Sequence, residues 1–313
     1  MSKINYKNII LILIFPFVFV GVVEAQYSRP GSTGADFVRI GVSARAAGMG
    51  DAYIAVVNGA EANYYNPAAL ANMKSNYSVF FNHTSWFAGI KHEFVAASHK
   101  FKFGAVGASI TALYTGQMKV RTPQQPEGTG ATFYAANYRG ELSYAKKLTQ
   151  RVGFGGSVSF LNMRLYNGFV ERAYSADIAV DYRTHFRNFR FAMMIANLGS
   201  SIKFVNESYP QPVNFSFGAS IDVIDGTNNK VLVSAEAKKP NDGDPLGQAG
   251  LEYSFKDLFF VRGGYKFNYD SATYSAGAGV RITLSGYKLR FDYSYSQFKL
   301  LGVANRFSMQ LNF

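Results

Sequence analysis

Residues 303–313 read as a two-faced ribbon. Val303, Asn305, Phe307, Met309, Leu311 and Phe313 fall on one side of an extended chain, and Ala304, Arg306, Ser308, Gln310 and Asn312 on the other. Successive side chains of a strand point to opposite faces, so this stretch wants an apolar medium on one side and water or polar protein on the other. It also ends the chain on an aromatic residue, as the closing strand of a membrane β-barrel does. The code recurs upstream. In residues 272–284 the even positions are Ala, Tyr, Ala, Ala, Val, Ile and Leu, and the odd ones Thr, Ser, Gly, Gly, Arg and Thr. Residues 287–296 and 213–223 alternate in the same way, with charge confined to one face.

A soluble antiparallel sandwich also alternates, and three further features decide against it. First, Lys3 and Lys7 precede an apolar run at 9–23, and Val23-Glu24-Ala25 offers a cleavage site, so residues 1–25 read as a Sec-type signal peptide with Gln26 beginning the mature chain. The run's 15 residues fall short of the roughly 20 that cross a bilayer as a helix. With no Cys in the chain, lipidation after the signal, disulfides, thiol catalysis and Cys-ligated metals are excluded. Second, 21 Tyr and 28 Phe supply material for two interfacial girdles, and a charged fraction of 17% lies below the roughly 25% of soluble domains. The net charge of +12, or +11 once Lys3, Lys7 and Glu24 leave, is spread one or two residues per strand without a basic stripe. Nucleic acid is therefore not an expected partner.

Third, connection lengths alternate. Strands are expected at 76–84, 90–100, 103–116, 131–147, 152–166, 172–184, 188–198, 212–223, 229–238, 247–255, 258–267, 272–284, 287–296 and 303–313, which makes an even number, fourteen. Connections after even strands are short, as periplasmic turns are, whereas 117–130, 199–211 and 239–246 follow odd strands and would face the cell exterior. The expected fold is all-β: an antiparallel transmembrane barrel at 75–313, in the outer membrane of a Gram-negative bacterium.

Residues 26–74 do not alternate. Their middle is rich in Ala and Gly, and Asn66-Pro67 suits a helix cap followed by a first turn, predicting a short helix from 67 to about 73. A mildly apolar segment ahead of a wide barrel predicts a plug, or hatch, in the lumen. Gly34-Ala-Asp-Phe-Val-Arg-Ile-Gly41, Ser43-Ala-Arg-Ala-Ala-Gly-Met-Gly50 and Asn66-Pro67-Ala68 resemble the N-terminal signature of the PorV/PorQ family, which is related to FadL-type barrels. The resemblance implies a fourteen-stranded outer-membrane barrel closed by its N-terminal segment. It makes Arg45, Gly48, Met49, Gly50, Asn66, Pro67 and Ala68 the hatch motif. It also implies service to the type IX secretion system of Bacteroidetes-type bacteria, with PorV escorting secreted proteins to the attachment machinery, whereas FadL-like barrels pass hydrophobic molecules.

Arg139, Glu141, Lys147, Asp177, Asp181, Arg183, Glu236, Lys238, Glu252, Arg262, Lys266, Arg281, Lys288, Arg290, Asp292 and Arg306 fall on the predicted lumen side. They could line a polar pore, but salt-bridged ladders that fix register and hold the plug are the favoured reading. Little points to chemistry. His83 with Ser85 is the one nucleophile–base pairing to name, and no acidic orienter sits beside it in the sequence. His92 and His99 are seven apart on one strand, face opposite sides and cannot share a metal. No catalytic centre, metal or cofactor is expected. The paired glycines Gly155-Gly156 and Gly263-Gly264 are candidate weak points of the wall.

Two functions remain: an interaction protein that binds secreted cargo or secretion-system subunits, and a transporter of hydrophobic small molecules. Outer-membrane lipids are partners in either.

Overall fold

A computed structural model describes residues 29–166, 168–299 and 301–313, so the signal peptide expected at 1–25 lies outside the described residues. Sixteen strands follow in chain order: β1 (Tyr77–Ser85), β2 (Lys91–Lys100), β3 (Ala105–Tyr114), β4 (Met118–Lys119), β5 (Thr132–Phe133), β6 (Ala136–Lys147), β7 (Val152–Tyr166) and β8 (Phe169–Arg183), then β9 (Arg190–Gly199), β10 (Asn214–Asp225), β11 (Asn229–Pro240), β12 (Leu246–Phe255), β13 (Phe259–Phe267), β14 (Ala272–Leu284), β15 (Tyr287–Phe298) and β16 (Gly302–Asn312). All but β4 and β5 form one closed antiparallel barrel of fourteen strands, the number the alternation gives. The seam closes between β1 and β16, where Tyr77 and Phe313 exchange backbone hydrogen bonds of 2.8 and 3.0 Å.

Burial follows the period-two pattern. In β2, His92, Phe94, Ala96 and Ser98 are buried toward the lumen, while Lys91, Val95 and Ala97 are exposed outside. Exposed apolar side chains such as Phe81, Ile110, Leu142, Val158, Tyr174, Val261 and Phe291 are covered by no other described residue and belong against lipid. At the end carrying both barrel termini, Tyr77 stacks on His99 and Phe313, and Phe101 on Phe103, as in an interfacial girdle. Turns at this end are tight. Between β14 and β15, Ser285 and Gly286 both take positive φ, 49° and 89°, the two-residue turn whose twist matches its strands. At the other end connections extend over 115–135 and 200–213. By the rule for bacterial barrels, the short-turn end is periplasmic and the other end outer.

Two details differ from the expectation. The strand placed at 131–147 begins only at Ala136, because Thr132–Phe133 pairs instead with Met118–Lys119 as a small ribbon within the loop. Alternation reports sidedness but not height above the rim, so it cannot separate the two. The ladder also runs unbroken through both glycine pairs: Gly155 pairs with Ala145 and Ala179, and Gly263 and Gly264 with Leu251 and Gly250. The wall has no opening there. A register shift does fall inside β8, between Ala176 and Ile178 against β9. Asp177 fills it by accepting a 2.6 Å hydrogen bond from the Asn197 amide.

Residues 29–76 occupy the lumen. They comprise helix α1 (Ala44–Gly48), helix α2 (Ala62–Tyr65) and 3-10 turns at Asp36–Arg39, Gly59–Glu61 and Pro67–Asn72. The last is the predicted short helix, tightened to 3-10 geometry and capped by Asn66, whose Oδ1 accepts from the Ala68 amide at 3.1 Å.

Candidate functional site

The lumen segment begins at the outer end. The Arg29 amide donates to the Asp242 carbonyl and the Gly34 amide to that of Pro210, both on outer connections. Asp242 also receives Thr33 Oγ1 at 2.7 Å and Arg39 Nη2 at 2.5 Å. Burial alone would push its carboxyl up, but the Arg39 and Thr33 hydrogen bonds outweigh that and hold it below the usual carboxylate range. Phe37 and Val38 then pack on Leu161, Met163, Ala173 and Ile202. From there the chain descends to β1 at the short-turn end, and most of 42–71 is buried.

Glycines make room for that descent. A Cβ on Gly264 would lie 1.9 Å from the Gly50 amide nitrogen, one on Gly250 2.4 Å from the Met49 carbonyl, and one on Gly155 2.6 Å from the Ala68 nitrogen. The motif residues Met49, Gly50 and Ala68 thus press their backbone directly onto bare strand. Gly48 and Gly277 also face each other, less tightly, where an added Cβ on either would sit 3.1 Å from the other's Cα. Around them Val42, Met49, Tyr53, Leu70, Phe80 and Phe94 form one core cluster with essentially no exposure, each burial contributing about 1.5–3 kcal/mol.

Charged side chains tie the segment to the wall in a closed circuit. Arg45, on α1, grips Glu252 with two hydrogen bonds of 2.7 and 2.6 Å. Glu252 meets Arg262 at 2.5 Å, Arg262 faces Asp292 at 2.8 Å, and Asp292 holds Arg290 at 2.8 Å. Arg290 reaches Glu61 at 2.6 Å. The Tyr53 hydroxyl donates to Glu61 at 3.0 Å and accepts from Arg45 at 3.3 Å, which closes the ring. Three guanidinium groups and three carboxylates cancel, so the buried circuit carries no net charge. That balance removes most of the penalty that isolated buried ions incur.

The other predicted lumen charges distribute around this ring. Arg139 contacts Asp177 at 2.8 Å and Glu141 at 3.4 Å. Asp181 takes Arg183 and the Asn72 amide. Glu236 accepts the Tyr53 and Ile54 amides at 2.8 and 2.9 Å and pairs with Lys238. Lys266 binds Asp51. Arg306 reaches Ser296 and lies over Trp86. Arg281 approaches Asp257 at 3.8 Å and lies over the Phe260 ring. Lys147, at a strand end, is exposed. Glu61 and Tyr53, which complete the circuit, and Asp51, which ties the segment to Lys266 outside it, do not stand out in the sequence. Their signal was slight: Asp51 and Glu61 are the only acids between residues 37 and 74.

The segment separates two cavities. One of about 200 Å³ toward the outer end is lined by Val38, Tyr64, Arg139, Met194, Lys238 and Lys266 among others. One of about 180 Å³ at the short-turn end gathers Lys74, Arg183, Arg190, Arg281, Lys288 and Arg290. Such an arrangement can hold or bind, and among the described residues these two cavities lie on opposite sides of the segment.

The family model "Type IX secretion system protein PorV" matches residues 23–245. No curated protein matches the chain. Among solved structures, the Ralstonia pickettii toluene transporter TbuX is similar over 87% of this chain and 97% of its own, with 15% identity and a TM-score of 0.56. The CymD monoaromatic hydrocarbon channel shares 12% identity over 87% of this chain and 96% of its own, TM-score 0.55. A Pseudomonas aeruginosa FadL homologue shares 11% over 92% and 99%, TM-score 0.50. At these identities the structural likenesses establish the fold alone.

Proposed function

This chain belongs to the PorV family of type IX secretion system proteins, and from that membership we propose that it acts in the outer membrane as a surface-export or attachment component, binding exported proteins or partner subunits instead of conducting solutes. The observation that carries this reading is the filled lumen. A segment that is buried against the wall, seated on bare glycines and fastened by a neutral ring of ions leaves the rims and outer connections as the working surface. Those connections include the β4–β5 ribbon and 200–213, with Met118, Tyr134, Val205 and Tyr209 exposed, apolar contacts suited to a protein partner. The hatch motif Arg45, Gly48, Met49, Gly50, Asn66, Pro67 and Ala68 then has a sealing role, and the lumen charges hold it.

The second reading, passage of hydrophobic small molecules, draws support from the fold it shares with hydrocarbon channels and from Val38, Tyr64 and Met194 in the outer cavity. Arg139, Asp51, Glu236, Lys238 and Lys266 line the same cavity, which makes it a poor host for an uncharged apolar guest. Deleting the gene separates the two. Loss of surface-anchored proteins, restored by the intact gene, supports secretion. Normal surface proteins with slowed uptake of toluene or a fatty acid would overturn it in favour of transport.

A further inference from the structure

His83 and Ser85 lack an acidic neighbour in sequence, but the sheet supplies one. Pairing of β1 with β2 sets Glu93 directly across from His83. Glu93 Oε1 lies 2.7 Å from His83 Nδ1, and Ser85 Oγ lies 3.4 Å from His83 Nε2. The carboxylate fixes the tautomer: Nδ1–H donates to Glu93, which leaves the Nε2 lone pair toward the hydroxyl. Tyr114 donates a further hydrogen bond to the same carboxylate oxygen at 3.4 Å. His83 and Glu93 are half-sheltered, 33% and 24% exposed, and Ser85 is exposed. Base and orienter are in hydrogen-bond contact, and the accessible Ser85 hydroxyl stands 3.4 Å from the base, the looser spacing of a nucleophile that tightens onto its base only when substrate is bound.

Their place on the molecule says what they would meet. Odd residues of β1 point outward, away from the lumen. Ser85 lies eight residues from Tyr77 of the short-turn girdle, about 27 Å along the strand, and so at the opposite membrane interface. Phe307 is the partner of His83 on β16, and Phe81 and Val95 are exposed nearby. Lys91 sits across from Ser85, a cation at headgroup depth. This is where acyl esters of the outer leaflet lie.

We propose that Ser85, His83 and Glu93 form a hydrolytic centre on the outer wall of the barrel that cleaves acyl esters of membrane amphiphiles. Ser85 Oγ adds to the ester carbonyl as His83 Nε2 takes its proton. The tetrahedral adduct collapses, the alcohol leaves with that proton, and the acyl group stays on Ser85. Water, deprotonated by His83, then releases the carboxylic acid and restores the serine. Glu93 is a positioning residue that holds the imidazole and offsets its transient charge. The activity is separate from the lumen and from the secretion role.

The test uses the full-length protein in detergent micelles and in phosphatidylethanolamine vesicles, with retained heat-modifiable gel mobility as the check of folding. The probes are a fluorophosphonate that labels activated serines, p-nitrophenyl butyrate, and release of fatty acid from the vesicle lipid. Wild-type protein is expected to take the label and hydrolyse ester. Ser85→Ala is expected to abolish both, and His83→Asn to lower kcat about 10²–10⁴-fold. Glu93→Gln is expected to lower kcat with little change in KM and to move the pH profile. Ser98→Ala, inside the lumen, should change nothing. Turnover of vesicle lipid supports the proposal, and turnover of the dissolved ester without any of the vesicle lipid overturns its assignment to membrane amphiphiles. Folded wild-type protein with no turnover above Ser85→Ala on either substrate, or turnover that survives in Ser85→Ala, overturns the proposal.

Discussion

Arg45 carries the clearest energetic consequence of any single side chain. It donates to Glu252 and to Tyr53, so the change Arg45→Met leaves a buried circuit with an excess negative charge. Breaking one partner of a buried pair costs about 3–5 kcal/mol. Removing both, in Arg45→Met with Glu252→Gln, restores neutrality, because Arg262 keeps Asp292 and Arg290 keeps Glu61. Denaturant unfolding in micelles should show the double variant recovering much of the stability that the single one loses; equal losses in both would contradict the circuit. At the outer end Asp242 makes a second residue-scale prediction. Its carboxyl is held below the ordinary range, so its contribution is fully present above an unfolded pKa of about 3.9 and is lost as pH falls through the lower folded value. Limited proteolysis of residues 29–40 should be faster in Asp242→Asn than in wild type at pH 7, and that difference should begin to shrink as pH drops below about 4 and vanish only below the depressed folded pKa.

Neighbouring positions on β13 make an internal control for how the lumen segment is seated. Gly264 faces inward, where a side chain would strike the Gly50 nitrogen, while an added Cβ on Gly263 meets no atom within 4 Å. Gly264→Val is therefore expected to unseat the segment and raise single-molecule conductance in planar bilayers, with the barrel still migrating as a folded species. Gly263→Val should leave conductance at the wild-type level. Strands such as β7 and β14 were legible residue for residue because period two requires nothing beyond the strand itself. The sockets were not. In sequence Gly155 and Gly264 look like thin places in a wall, and only the descending backbone of Met49, Gly50 and Ala68 shows that they are filled. Glu93 was hidden for a related reason: which residue faces His83 is a matter of register between two strands, and neither strand encodes it alone.

Over the molecule as a whole, positive charge gathers at the short-turn end. Arg190 and Lys288 line its cavity without an ion pair among the described residues, and Lys74 joins them there. Burial, and then the nearby Arg190, Lys288 and Arg183, lower the Lys74 pKa. Neutralising two of these groups, in Arg190→Gln with Lys288→Gln, should raise the thermal midpoint in low salt, on the order of 2 °C. Added salt should erase the gain, and a lowered midpoint would mean that the cluster supports the fold. The lengthwise path of residues 29–76, from the Asp242 loop down to β1, bears on how such an object is made. Inward glycines would face a void without their occupant, so the cylinder is shaped on a mandrel of its own chain. The first and last strands thus close around a core that the same chain supplies.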